Sequence, residues 1–255
     1  METAEPSARL LNVPAVGPAR YRSNLIRLAV CELRFPTLFE LERDRPPIDF
    51  ARTIRRDYPT YELRKDLSIN PEGVAQAKAH SFRSRKGQWT VMLRPAALTL
   101  ETQKYGSFKE FSDKLAAIVE AGKRVIDSNF FTRVGLRYIN ALPFALQTIA
   151  DWVNPELVKP LADGVFGDVE EHVLHVRGAT ALGGYSFRHG VNNTNQRGDQ
   201  EYILDFDFYA EDVDVANVMS VVEKLHEQEF AMFRWSLGAK AIDALGPSTL
   251  GKLGG

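Results

Sequence analysis

Residues 131–141 read Phe-Thr-Arg-Val-Gly-Leu-Arg-Tyr-Ile-Asn-Ala, and no other run constrains the chain as strongly. In an extended strand Val134, Leu136 and Tyr138 fall on one face, and Arg133, Gly135, Arg137 and Ile139 on the other. The first face needs a packing layer. The second needs partners or a ligand, because an unpaired buried charge costs too much to keep. A sheet covered by helices on one side meets both demands.

The rest of the chain supplies such elements. Ile26, Leu28 and Val30 alternate with Arg27, Ala29 and Cys31, which predicts a strand with Arg27, Ala29 and Cys31 turned outward. Phe50 and Ile54 share one face of a short helix predicted over 49–57. Residues 61–79 are weakly patterned, with a turn signal at Asn70-Pro71-Glu72-Gly73. Strands are predicted at 80–85, 89–94 and 98–102. A helix then runs to about 128, with Ser107 and Glu110 forming a capping box and Phe108, Phe111, Leu115, Ile118 and Val119 its stripe. After the strand at 131–141 come a helix at 147–161, strands at 169–178, 181–190 and 201–209, and a long helix at 214–237 with Gly238 as its cap. A polar hairpin loop at 192–200 separates the last two strands.

This order repeats: strand, helix, three strands, long helix, twice. At a spacing of about 106, Ile26–Val30 lies over Thr132–Leu136, and Leu98 and Leu100 lie over Leu204 and Phe206. The expected fold is α+β, with two βαβββα repeats at about 21–128 and 129–237. Their strands would join into a mostly antiparallel saddle or half-barrel with two long helices on one face. Residues 21–245 then form one pseudo-symmetric domain between a disordered leader, 1–20, and a flexible tail, 246–255. In this alignment Arg133 answers Arg27. Arg137, matched by Cys31, has no counterpart and is the stronger candidate for function.

Asp205 and Asp207 share a strand face opposite Tyr202, Leu204, Phe206 and Phe208. His175 and Arg177 share a face of another strand. Three readings stay open for the surface carrying Arg27, Arg133, Arg137, His175, Arg177, Asp205 and Asp207. It is a lattice of cross-strand ion pairs. Or it is an anion-binding concavity in which guanidinium forks meet phosphate or carboxylate, with Ala29 and Gly135 leaving room. Or Asp205 and Asp207 hold magnesium in a phosphodiesterase- or nuclease-like enzyme.

Composition narrows the classes. A net charge of -1 gives no global attraction to nucleic acid. Arg83-x-Arg85-Lys86 beside Trp89 is the one basic hairpin suited to local contact, and the favoured reading of it is a solvated tip. The single cysteine rules out an internal disulfide and a cysteine-based zinc cluster, and fits a reducing compartment. No apolar run approaches the roughly 18–20 residues of a membrane span, and the first 20 residues lack the plan of a secretory signal. The cytoplasm is the expected location. Neither nucleotide-loop nor nucleophile motifs occur, so no cofactor is expected, and outside the magnesium reading of Asp205 and Asp207 no metal site is expected either.

Cys31-Glu32-Leu33-Arg34-Phe35-Pro36, Tyr105 ahead of Phe108 and Phe111, and above all Arg133-Val134-Gly135-Leu136-Arg137-Tyr138-Ile139-Asn140 resemble a sporadically distributed family of uncharacterised bacterial proteins of similar length. The resemblance covers most of the chain after the leader. In that family the first strand is often introduced by a proline and carries an early glutamate; here it begins Leu25-Ile26-Arg27-Leu28. The resemblance implies a bacterial, cytoplasmic setting and carries over no catalytic residue. The expectation is a non-catalytic binding or accessory protein engaging a protein partner or an anionic ligand through the arginine-bearing sheet face.

Overall fold

The computed structural model describes residue 13 and residues 20–70, 73–192 and 200–248. Apart from Val13, Arg20 and residues 246–248, the expected leader and tail lie outside them, as do residues 193–199 of the expected polar loop at 192–200. The chain is α+β. Nine strands form one open antiparallel sheet in the order β3-β4-β5-β6-β2-β7-β10-β9-β8. They are β2 (Ile26–Arg34), β3 (Thr60–Asn70), β4 (Gly73–Arg83), β5 (Trp89–Arg94), β6 (Ala97–Thr102), β7 (Phe130–Pro143), β8 (His172–Ala179), β9 (Gly183–Asn192) and β10 (Glu201–Asp214). Two short strands, β1 (Arg20–Tyr21) and β11 (Pro247–Ser248), pair separately. Among the described residues there are six α-helices: α1 (Ile48–Ile54), α2 (Phe108–Ile126), α3 (Ile149–Trp152), α4 (Pro155–Ala162), α5 (Val218–Trp235) and α6 (Ala239–Leu245). No described helix is long and apolar enough to cross a membrane.

The chain divides into two compact units, one of residues 26–138 and 209–226, the other of residues 1–25, 139–208 and 227–255. In the first unit β3–β6 form a meander and β2 closes on β6, with Cys31 opposite Leu100 and Leu33 opposite Leu98. The weakly patterned stretch 61–79 is thus a long hairpin, β3–β4, in which Asn70 pairs with Gly73 as its turn signal requires. Ser107 caps α2 by accepting the Glu110 N–H at 3.2 Å, as the capping box predicts. The helix ends at Ile126, where Asp127 takes a left-handed φ of 42°.

Strand β2 corrects the expected facing. Ala29, Cys31 and Leu33 are fully buried and Phe35 nearly so, while Leu28, Val30 and Glu32 are only partly covered. The buried set faces α2: Leu98, paired with Leu33, lies so near Gly122 of α2 that a Cβ there would come within 3.2 Å of it. Strands β7 and β10 keep the expected phase, with Val134, Leu136 and Tyr138, and Tyr202, Leu204, Phe206 and Phe208, all buried.

In the second unit, Phe206 packs edge-on against Phe233 of α5 at 6.4 Å and stacks on Phe187 of β9 at 4.8 Å. The helix expected over 147–161 is two helices. Pro155 takes the first position of α4 and Asn154 caps it, its side chain accepting the Glu156 N–H at 3.0 Å. Gly238 does not end the preceding long helix; it stands at the N-cap of α6.

Candidate functional site

The residues expected to form one arginine surface are distributed differently. Arg133 and Arg137 occupy the partly covered face of β7, with Glu32 on the matching face of β2. The Arg133 guanidinium lies folded over Gly135, in the space a Cβ would take, and sits 4.6 Å above the Tyr209 ring. Its Nη1 is 3.9 Å from Glu32 Oε1, which the Arg34 Nε also meets at 2.7 Å. The room that Gly135 was expected to leave for a ligand is therefore filled by Arg133 itself. Ala29 leaves none either, being fully buried on the opposite face. Arg27 shares that opposite face and is exposed, so it does not stand beside Arg133.

Asp205 and Asp207 share the partly covered face of β10 as expected. His175 and Arg177 lie exposed on one face of β8, and His175 Nε2 is 2.8 Å from the Ser186 hydroxyl. Arg27, Arg133, Arg137, Asp205 and Asp207 each have an interaction partner. No group of three or more His, Cys, Asp or Glu side chains among the described residues could hold a metal ion.

A cavity of about 430 Å³ opens instead in the first unit, between α1, the segment before it and the start of β3. Its construction follows from the sequence. Phe50 and Ile54 bury one side of α1, so Ile48, Arg52 and Arg55, spaced by four and three, line up on the exposed side. Arg45 precedes the helix, and Tyr58, Tyr61 and Phe82 complete the wall. None of the Arg45, Arg52 and Arg55 side chains makes a hydrogen bond or ion pair with another described residue. A volume of this size falls within the range typical of small-molecule sites.

The aromatic wall is fixed from behind. His80 is fully buried and burial pushes its pKa down, so the ring is neutral. Its Nε2–H donates to the Leu41 carbonyl at 3.2 Å, leaving Nδ1 to accept the Tyr61 hydroxyl at 3.1 Å. Tyr61 also packs on Phe82 at 5.3 Å, and Phe82 meets Phe50 edge-on at 5.7 Å. Burial raises the Tyr58 hydroxyl pKa, reinforced by the Asp57 carboxylate, so it stays protonated and can donate. Three guanidinium groups beside a flat apolar wall offer charge-assisted forks to phosphate or carboxylate and a surface for an apolar or aromatic body.

This cavity was not foreseen from the sequence, where the α1 segment stood out only for its buried pair, Phe50 and Ile54. The spacing Ile48, Arg52, Arg55 behind Arg45-Pro46-Pro47 was the available signal. Compared with models of known families and with curated proteins, the chain finds no match in either.

Proposed function

We propose that this chain is a non-catalytic binding protein whose ligand is a small anion with a flat or apolar body, seated at Arg45, Arg52 and Arg55. One observation carries this reading: three arginines without an internal partner surround a cavity walled by Tyr58, Tyr61 and Phe82. The arginine-bearing face of β7 then serves as scaffold or as a surface for a protein partner, with Arg133 held over Gly135.

The proposal extends to origin and setting. The Arg133–Asn140 segment supports membership of the sporadically distributed bacterial family, and a single cysteine, the buried Cys31, suits the cytoplasm. We also propose that the fold arose by duplication. The strand order supports it: reading outward from the centre, β2-β6-β5-β4 is answered by β7-β10-β9-β8, with β3 added to one side. Burial phase favours laying residue n over n + 105 at the central strands, so that Ala29, Cys31 and Leu33 meet Val134, Leu136 and Tyr138. Arg27 then answers Thr132, and Glu32 answers Arg137.

Isothermal titration with inorganic phosphate, pyrophosphate and ADP tests the binding site. ADP is expected to bind most tightly because it offers both charge and a ring. A hydrogen bond to a charged group is worth about 1.5–3 kcal/mol, so Arg52→Ala and Arg55→Ala should each weaken binding about tenfold or more. Arg124→Ala, exposed on α2, should leave it unchanged. No heat with any probe, or undiminished binding in the Arg52→Ala, Arg55→Ala double variant, would overturn the assignment.

A further inference from the structure

The two ends of the nine-stranded sheet are built in opposite ways. At one end β3 carries Glu62, Arg64 and Lys65, and Glu62 pairs with both Arg64 and Arg83. Charges of this kind blunt an edge against pairing with other chains. At the other end β8 has β9 as its only neighbour among the described strands, and its apolar side chains are open to solvent: Val173 is 62% exposed, Leu174 41% and Val176 39%. They occupy both faces of the strand. Val173 lies with His175 and Arg177, and Leu174 with Val176. Val165 and Phe166, in the turns before the strand, are exposed as well, at 67% and 59%. An edge left apolar on both faces is a template for another strand.

Charge identifies that strand. Glu171 immediately precedes β8 and Arg177 lies near its end; both are exposed, and neither has a partner among the described residues. An antiparallel pairing of β8 with its own copy, centred on Leu174, sets Glu171 opposite Arg177. The two-fold axis repeats that pair on the other side. The same register places Val173 opposite His175 and His172 opposite Val176, and it brings the two Leu174 side chains together. Opposite residues in an antiparallel pair share a face, so each glutamate meets its arginine directly. A parallel pairing would instead leave Glu171 beside Glu171.

We propose that β8 is a self-complementary interface through which two copies of this chain join edge to edge, with Leu174 at the two-fold axis. Antiparallel neighbours across such an axis have Cα atoms about 4.5–5.5 Å apart, within the span a disulfide bridges.

The oligomeric state of the full chain, measured by sedimentation equilibrium, tests this. The wild type is expected to dimerise. Glu171→Arg and Arg177→Glu should each weaken the dimer about tenfold or more, since each places like charges opposite one another twice. The double variant Glu171→Arg, Arg177→Glu should restore it, which a merely misfolded single variant could not explain. Leu174→Cys should crosslink to a covalent dimer under mild oxidation, Cys31 being buried and out of reach. A monomeric wild type at high micromolar concentration overturns the proposal. So does a dimer indifferent to both charge reversals, or one captured at another protein's strand in place of its own copy.

Discussion

Replacing Glu229 by glutamine should change how stability depends on pH, and the direction follows from its surroundings. Glu229 is fully buried on α5; its Oε1 accepts the Phe208 N–H at 3.3 Å and its Oε2 has no partner. Burial, then the nearby Asp207 and Asp205 carboxylates, push its pKa well above the ordinary 4.5, with only the Phe208 N–H pulling the other way. The folded protein therefore keeps a proton that the unfolded chain releases above pH 4.5. The stabilisation is complete below that pH and falls as pH rises, by about 1.4 kcal/mol per unit, until the folded group itself ionises.

Three buried histidines act in the opposite direction, His80 among them. Burial lowers His226 to about 4, and burial with the neighbouring His172 does the same for His189, from an ordinary 6.5. Between those values the unfolded chain takes up protons that the folded chain refuses, so stability is lost as pH falls through that window. In the wild type the histidines and Glu229 therefore oppose each other as pH rises from about 4.5 to 6.5. Glutamine keeps the acceptor for Phe208 and cannot ionise. The stability of Glu229→Gln relative to wild type should grow as pH rises above about 4.5, by up to about 1.4 kcal/mol per unit until the folded carboxyl ionises, read from urea unfolding at matched ionic strength. Parallel pH profiles for the two proteins would refute the protonated carboxyl.

Two further substitutions probe packing. Gln228, 8% exposed, has neither its amide oxygen nor its nitrogen partnered; Gln228→Met should stabilise by about 1 kcal/mol or more by removing that desolvation cost, seen as a higher urea midpoint at unchanged m-value. Gly190 of β9 has φ +155°, and a Cβ on it would run into the His172 carbonyl of β8; Gly190→Ala should cost at least about 2 kcal/mol, seen as a lowered thermal midpoint.

What could be read from the sequence depended on how different the two faces of each element are. β10 alternates large apolar residues with Asp205 and Asp207, so its period and phase were both plain. β7 was equally clear. β2 is apolar on both faces, and a window ending at Cys31 favours Ile26, Leu28 and Val30 as the core set. Extending it to Phe35 decides the phase the other way, because Ala29, Cys31, Leu33 and Phe35 form one apolar row while the other row ends in Glu32 and Arg34. The β3–β4 hairpin escaped detection for a related reason: Glu62, Arg64 and Lys65 mark a charged edge strand, in which alternation is weak by design.

A glycine between two arginines means something different in the fold. From sequence, Gly135 beside Arg133 and Arg137 suggested an opening for a ligand. In the fold, the missing side chain lets Arg133 lie flat along its own strand and reach the Tyr209 ring and Glu32. A mid-strand glycine usually weakens pairing, so its presence implies that something else comes close, and here that is the chain's own guanidinium. The three arginines around the α1 cavity have no such neighbour. The difference between the two groups lies in which charges are already answered within the protein, and the unanswered ones are the better guide to a ligand.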